Sequence, residues 1–208
     1  MPLTDEVVVR RRVSRQAQAT AERREQILDA ASDAFTEHGF NGTSMRDVAS
    51  RVGMSHTGVL HHFPDKAALL EAVLDRRVER SGSQFNLDSH DGEKFLRSLL
   101  ELARRDVRDP DELRMYQVVA AESLALTHPA HGYMRRWYKT VRQHVTEALE
   151  DLDRRGHYTG HGIDIPTAAA IIAGMREGLN PQWLLDPDGF DLVGAVRAQL
   201  RVFTDLEL

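Results

Sequence analysis

The chain has no cysteine among its 208 residues, only two tryptophans, and an aromatic content of 6%. Without thiols it can form no disulfide, no thiolate metal site and no cysteine-nucleophile intermediate, which fits a reducing compartment. No run of about 18 apolar residues occurs, so no membrane-spanning helix is expected. The opening MPLTDEVVVRRRVSRQAQAT sets charges on both sides of a short valine patch, which is not a signal-peptide core. A cytoplasmic protein is expected. The motifs HExxH and GxSxG are missing, as are a phosphate-cradling glycine loop and an aspartate-rich diphosphate motif. No enzyme and no cofactor are therefore expected. His128 and His131 are separated by Pro129 and have no third ligand nearby, and His157 and His161 lie in the glycine-rich stretch GHYTGHG. Neither pair defines a metal site.

What is present is helical. At 41% hydrophobic the chain can bury one large core, or a small domain fused to a larger one. The formal net charge of -5 excludes a protein that is basic all over, so any nucleic-acid contact must come from a local patch. Residues 1–80 carry 12 Lys+Arg against 12 Asp+Glu, and the remainder carries 15 against 20, so the acidic excess lies after residue 80. Arg10, Arg11, Arg12, Arg15, Arg23 and Arg24 crowd the start of the balanced segment. Residues 1–21 read either as a flexible basic arm able to enter a minor groove or as a solvated tail.

Periodicity predicts a first helix over 22–38, with Ile27, Ala31, Ala34 and Phe35 on one face and Gly39 as its cap. Ser44 and Asp47, three apart, can cap a second helix that turns Val48, Ala49 and Val52 inward and ends at Gly53. Ser55 can cap a third, and Pro64 stops it before Lys66 opens a fourth containing Leu69, Leu70, Val73 and Leu74. Beyond a break at Ser81-Gly82-Ser83, helices are expected over about 91–108, 111–127, 130–155, 165–185 and 189–206. Pro181 should kink or split the helix at 165–185. The expected fold is all-α: a helix-turn-helix module at 22–66, joined by a connecting helix to a helical bundle within 67–208.

The stretch DVASRVGMSHTGVLHHFPDK carries the functional signal. Two helices cross closely only where contact residues are small, and the turn between them needs a residue that accepts a left-handed backbone. Ala49 and Gly53 meet these demands, and Ser55, His56, Thr57 and Gly58 then sit where a major groove would be read. Together AFTEHGF, GTSMRDVASRVGMS and HHFPDKAALLEAV resemble the TetR family of bacterial transcriptional regulators, over residues 22 to about 75. Beyond residue 80 the resemblance is limited to length, helical content and the segment GLNPQWLLDPDGF. It implies a homodimer that reads a palindromic double-stranded DNA operator and responds to a small-molecule effector, most often as a repressor. Carried over by position, it places Thr43, His62 and Lys66 at phosphates, and Arg46 with residues 55–58 at the groove. Leu60 stands where most members have a tyrosine that touches phosphate. His61 and His62 are the available substitutes.

In the C-terminal part, Met115, Tyr116, Val119, Met134, Trp137, Tyr138, Met175 and Trp183 are candidates to line an effector cavity, with Glu122, His144 or Arg176 as polar points; each could equally be plain core. The helices containing Ile171–Leu185 and Leu192–Phe203 carry more apolar surface than one shell covers, which suggests a four-helix interface across a two-fold axis with close approach at Gly174. The alternative is a helical small-molecule-binding or interaction protein that has lost specific DNA binding.

Overall fold

The computed structural model describes residues 5–82 and 91–208; for 5–16, 81 and 82 it describes the backbone alone. The described residues form α1 (Asp5–Gly42), α2 (Met45–Arg51), α3 (His56–His62), α4 (Lys66–Gly82), α5 (Gly92–Arg108), α6 (Pro110–Glu122), α7 (His131–Arg154), α8 (Ile165–Leu185) and α9 (Leu192–Phe203). No strand is found among them, although Tyr158 and Thr204 form an isolated antiparallel bridge. None of these helices is long and apolar enough to cross a membrane. The chain forms two compact units, Met1–Val73 and Leu74–Leu208, so α4 contributes residues to both.

In the first unit the periodic residues are where the pattern put them: Ile27, Ala31, Ala34 and Phe35 are fully buried, joined by Val48, Ala49, Val59, Phe63, Leu69 and Leu70. Each large apolar side chain removed from water contributes about 1.5–3 kcal/mol. Helix α1 starts well before residue 22, at Asp5, and the arginines at 10, 11, 12 and 15 lie in the part whose side chains are not described. Its regular conformation breaks at Gly39, whose φ of 69° is left-handed.

The second unit is built on the pairs α5–α7, α5–α9, α7–α8, α8–α9 and α6–α8. Its core joins Leu96, Leu100, Leu113, Leu149, Leu152, Ile172, Val196, Leu200 and Phe203. Helix α5 approaches α7 so closely that a Cβ at Gly92 would collide with the Ala148 carbonyl, and the Gly92 amide donates to Asp151 Oδ2 at 3.0 Å. Three features of this unit depart from the periodicity reading. Helix α6 ends at Glu122 instead of about 127, where Ser123 Oγ donates to the Ala120 carbonyl and turns follow up to Pro129. Helix α9 starts at Leu192, after Asp191, instead of at 189. Helix α8 is not split by Pro181 and runs on to Leu185. The proline is only one turn from that end, so its missing N–H removes a single bond, to the Glu177 carbonyl.

Candidate functional site

Two sites emerge, one in each unit. The first is the α2–α3 pair. Ser44 and Asp47 form a reciprocal cap: Ser44 N donates to Asp47 Oδ2 at 2.8 Å, and Asp47 N donates to Ser44 Oγ at 3.2 Å. The Ser44 hydrogen bonds hold the Asp47 carboxyl below its ordinary range. Helix α2 closes with Gly53 at φ 64°, its amide donating to Ser50 O at 3.2 Å while Met54 N donates to Ala49 O at 2.9 Å. This paired return of the chain satisfies the last carbonyls and aims it into the next helix. Ser55 then caps α3 by accepting from Gly58 N at 3.0 Å. Ala49 and Val59 are buried at the crossing, whereas Ser55, His56 and Thr57 are exposed and Gly58 is half-buried. A short helix thus presents its first turn outward from a rigid support.

The other residues expected to touch DNA divide into two groups. Arg46 and His61 are exposed and His62 is half-buried, all available to solvent-borne partners. Thr43 and Lys66 are instead committed internally. Thr43 is 3% exposed and its hydroxyl donates to the carbonyls of Ala34 and Gly39, at 3.0 and 2.8 Å. Lys66 Nζ donates at 2.7 Å to both Phe40 O and Thr43 O, and lies 4.1 Å from the Phe40 ring centroid. It therefore closes the end of α1. Two further cations brace the module: Arg24 stacks 4.3 Å over the Phe63 ring, and Arg51 forks onto Glu37 at 2.5 and 3.0 Å. Leu60, in the place of the usual tyrosine, is half-buried.

The second site is a cavity of about 80 Å³ within the Leu74–Leu208 unit, walled by α4, α5, α6, α7 and α8. Of the residues expected to line it, Tyr116, Trp137, His144 and Arg176 do. Met115, Val119 and Met134 are buried elsewhere, Trp183 belongs to the core, and Met175 is 40% exposed. Glu122 sits beside His128, and Tyr138 reaches the site indirectly through Glu177. Glu177 Oε1 accepts from Tyr116 Oη at 3.3 Å and Glu177 Oε2 from Tyr138 Oη at 3.2 Å. Burial first, and then the Glu177 charge, pushes the Tyr138 phenol up to about 12 and the Tyr116 phenol well above its ordinary range, so both remain donors.

Below this pair lies a buried ionic cluster. Asp106, 2% exposed, accepts from Arg176 at 2.5 Å and from Arg77 at 3.4 Å. Glu112 takes Arg105 and, at 3.8 Å, Arg77, whose guanidinium also lies 4.9 Å over the Tyr116 ring. Sequence reasoning missed Arg77, Glu177 and Asn180, all on the cavity wall. The one available signal was the spacing of Arg176 and Asn180, which places them on one face of α8.

The histidine pairs serve the backbone and local contacts: His131 Nδ1 lies 2.9 Å from Ser123 O, and His157 Nδ1 lies 2.9 Å from Asp205 Oδ1. Among the described residues no three His, Cys, Asp or Glu side chains gather to hold a metal.

The family model for bacterial regulatory proteins of the tetR family matches residues 27–73. The chain is 30% identical over 195 residues to the "Probable HTH-type transcriptional regulator ArpR" of Pseudomonas putida, covering 89% of this chain and 90% of that one. It is 28% identical over 193 residues to the HTH-type transcriptional regulator TtgR, also of Pseudomonas putida, with coverage of 89% and 90%. Among solved structures, a complex of SmeT with triclosan superposes with a TM-score of 0.75 at 20% identity, covering 89% of this chain and 93% of that one. SmeT is the repressor of the Stenotrophomonas maltophilia multidrug efflux pump SmeDEF. On these matches, and on the α2–α3 geometry that accompanies them, this chain belongs to the TetR family of bacterial regulatory proteins.

Proposed function

We propose that the protein is a ligand-responsive transcriptional regulator that binds a palindromic operator as a homodimer and is released from it by a small-molecule effector, acting as a repressor in the cytoplasm. The observation that carries the reading is the exposed first turn of α3, held by the Gly53 turn and the Ser55 cap. Ser55, His56, Thr57 and Gly58 meet base edges, and Arg46, His61 and His62 supply polar and cationic contacts beside them. Thr43 and Lys66 act by holding the end of α1. Residues 1–21 form the basic arm that precedes the 22–66 reading module, and 67–208 bind effector and partner.

The dimer forms through α8 and α9. Ile171 and Met175 are 39% and 40% exposed, one turn apart on α8, and Gly174 and Gly178 leave open space beside them. The effector occupies the cavity in the second unit, an occupancy supported by the triclosan that the SmeT structure contains. Helix α4 links the two events, because Lys66 at its start closes α1 while Leu74, Arg77 and Val78 farther along wall the cavity.

Selection from a random duplex library with the purified protein tests this reading. A palindromic enriched site, bound on the order of a thousandfold more tightly than scrambled DNA and with a steep salt dependence, is expected. Equal binding of enriched and scrambled duplexes would leave α2–α3 as packing alone, and the chain as a helical binding protein, a reading that the non-phenolic Leu60 favours.

A further inference from the structure

The wall of the cavity specifies more than its existence. The guanidiniums on the wall are matched already, since Asp106 holds Arg77 and Arg176, while the Glu177 carboxylate accepts from two neutral phenols. An anionic ligand would have to leave water and find no cation free to meet it, and a cationic one would be set beside the guanidiniums of Arg77 and Arg176. Two polar atoms are different. Asn180 is 2% exposed, lines the cavity, and its Oδ1 has no hydrogen-bond partner; one turn before it on α8, Arg176 Nε is likewise buried and unpartnered. A buried acceptor and a buried donor left unmade each cost about 1–3 kcal/mol, so such atoms call for an occupant that completes them. Thr140 apart, the rest of the wall is apolar or aromatic, including Phe95 stacked on the His144 imidazole with ring centroids 6.2 Å apart.

We infer that the effector is a neutral aromatic molecule carrying a hydroxyl, whose O–H donates to Asn180 Oδ1 while its oxygen accepts from Arg176 Nε–H. This rests on the effector-cavity reading above and deepens it to a ligand class. The cavity of about 80 Å³ is smaller than the roughly 150 Å³ apolar cavity known to accept benzene, so a ring enters as half-buried Trp137 and Val141 give way. Asn180 and Arg176 are then specificity-determining: they reject an isostere that lacks the donor, because burying Asn180 Oδ1 against it leaves the acceptor unpaired for good.

Calorimetric titration of the full chain with phenol, anisole and benzoate separates the possibilities without DNA. Phenol is expected to bind about tenfold more tightly than anisole, which keeps the oxygen and loses the donor, and benzoate is expected to bind more weakly still. In Asn180→Leu the preference of phenol over anisole should disappear. That variant removes an unpaired amide from the interior, and its thermal unfolding shows whether it is folded. Anisole matching phenol in the wild-type chain, benzoate binding best, or no binding by any of the three would overturn the inference. Adding phenol to the complex with the selected duplex then tests regulation separately: binding of phenol with no change in DNA affinity would retain the ligand class and refute the regulator reading.

Discussion

The two units dispose of their polar groups in opposite ways. In Met1–Val73, the polar groups around the turns are committed: Thr43, Ser44, Asp47, Ser55 and Lys66 each satisfy backbone at a helix end, and Arg51 is held by Glu37. In Leu74–Leu208, Gln117 Nε2, Arg176 Nε, Asn180 Oδ1 and Arg197 Nε are buried without hydrogen-bond partners, and apolar Ile171 and Met175 face outward. The difference matches the two tasks proposed for the units. A reading head must present one geometry, so its polar groups are satisfied within it. A sensing and dimerising bundle must gain contacts from outside, so some of its groups remain incomplete.

The largest expected effect on DNA binding comes from closing off the apolar strip of the second unit. The double substitution Ile171→Glu with Met175→Glu should give a monomer in sedimentation analysis and weaken operator binding by about 100-fold or more, because the two reading heads lose their linkage. A dimer that survives both charges would place the interface elsewhere. Next is the ionic cluster. Asp106→Ala leaves Arg176 without its carboxylate and Arg77 with Glu112 alone, and should cost on the order of 3–5 kcal/mol in urea unfolding.

The first unit offers the converse tests. Lys66→Met removes two hydrogen bonds to carbonyls and the Phe40 contact, and should destabilise that unit by about 1–3 kcal/mol while leaving the salt slope of DNA binding unchanged. A slope reduced by about one would mean that Lys66 meets a phosphate instead. The smallest effect is at the α2 cap, where Ser44→Ala should cost about 1 kcal/mol. Asp47 is held below the carboxyl value of the unfolded chain by Ser44. Its contribution is therefore present above the unfolded value, near pH 4, and is lost as pH falls through the lower folded value. Urea unfolding from pH 6 to pH 3 should show that loss in the wild-type chain and less of it in Ser44→Ala.

How far the sequence could be read depended on how local each interaction is. The Ser44–Asp47 cap, the Gly53 turn and the Ser55 cap join residues at most a few positions apart, and all three occur as spacing predicted. The buried stripe from Ile27 to Phe35 followed from the 3.6-residue period. Lys66 could not be read that way, because its partners Phe40 and Thr43 lie 26 and 23 residues back. In the second unit periodicity identified apolar faces but not which face meets a void. Tyr116 and Trp137 line the cavity, while the equally apolar Met115 and Trp183 do not. Asn180 was missed for the same reason: its spacing from Arg176 marks one face of α8, but not that this face meets the cavity. Helix α6 ended early because a serine hydroxyl and the turns before Pro129 outweighed the helical preference of Leu124, Ala125 and Leu126 between them.

The most direct test of the account is an anisotropy titration of the selected duplex and a scrambled one, comparing the wild-type chain with His56→Ala, Thr57→Ala at two salt concentrations. If the first turn of α3 reads bases, the double variant should lose most of its preference for the selected site while binding scrambled DNA as before, with the same salt slope. A variant that keeps its full preference would contradict the assignment of recognition to α3.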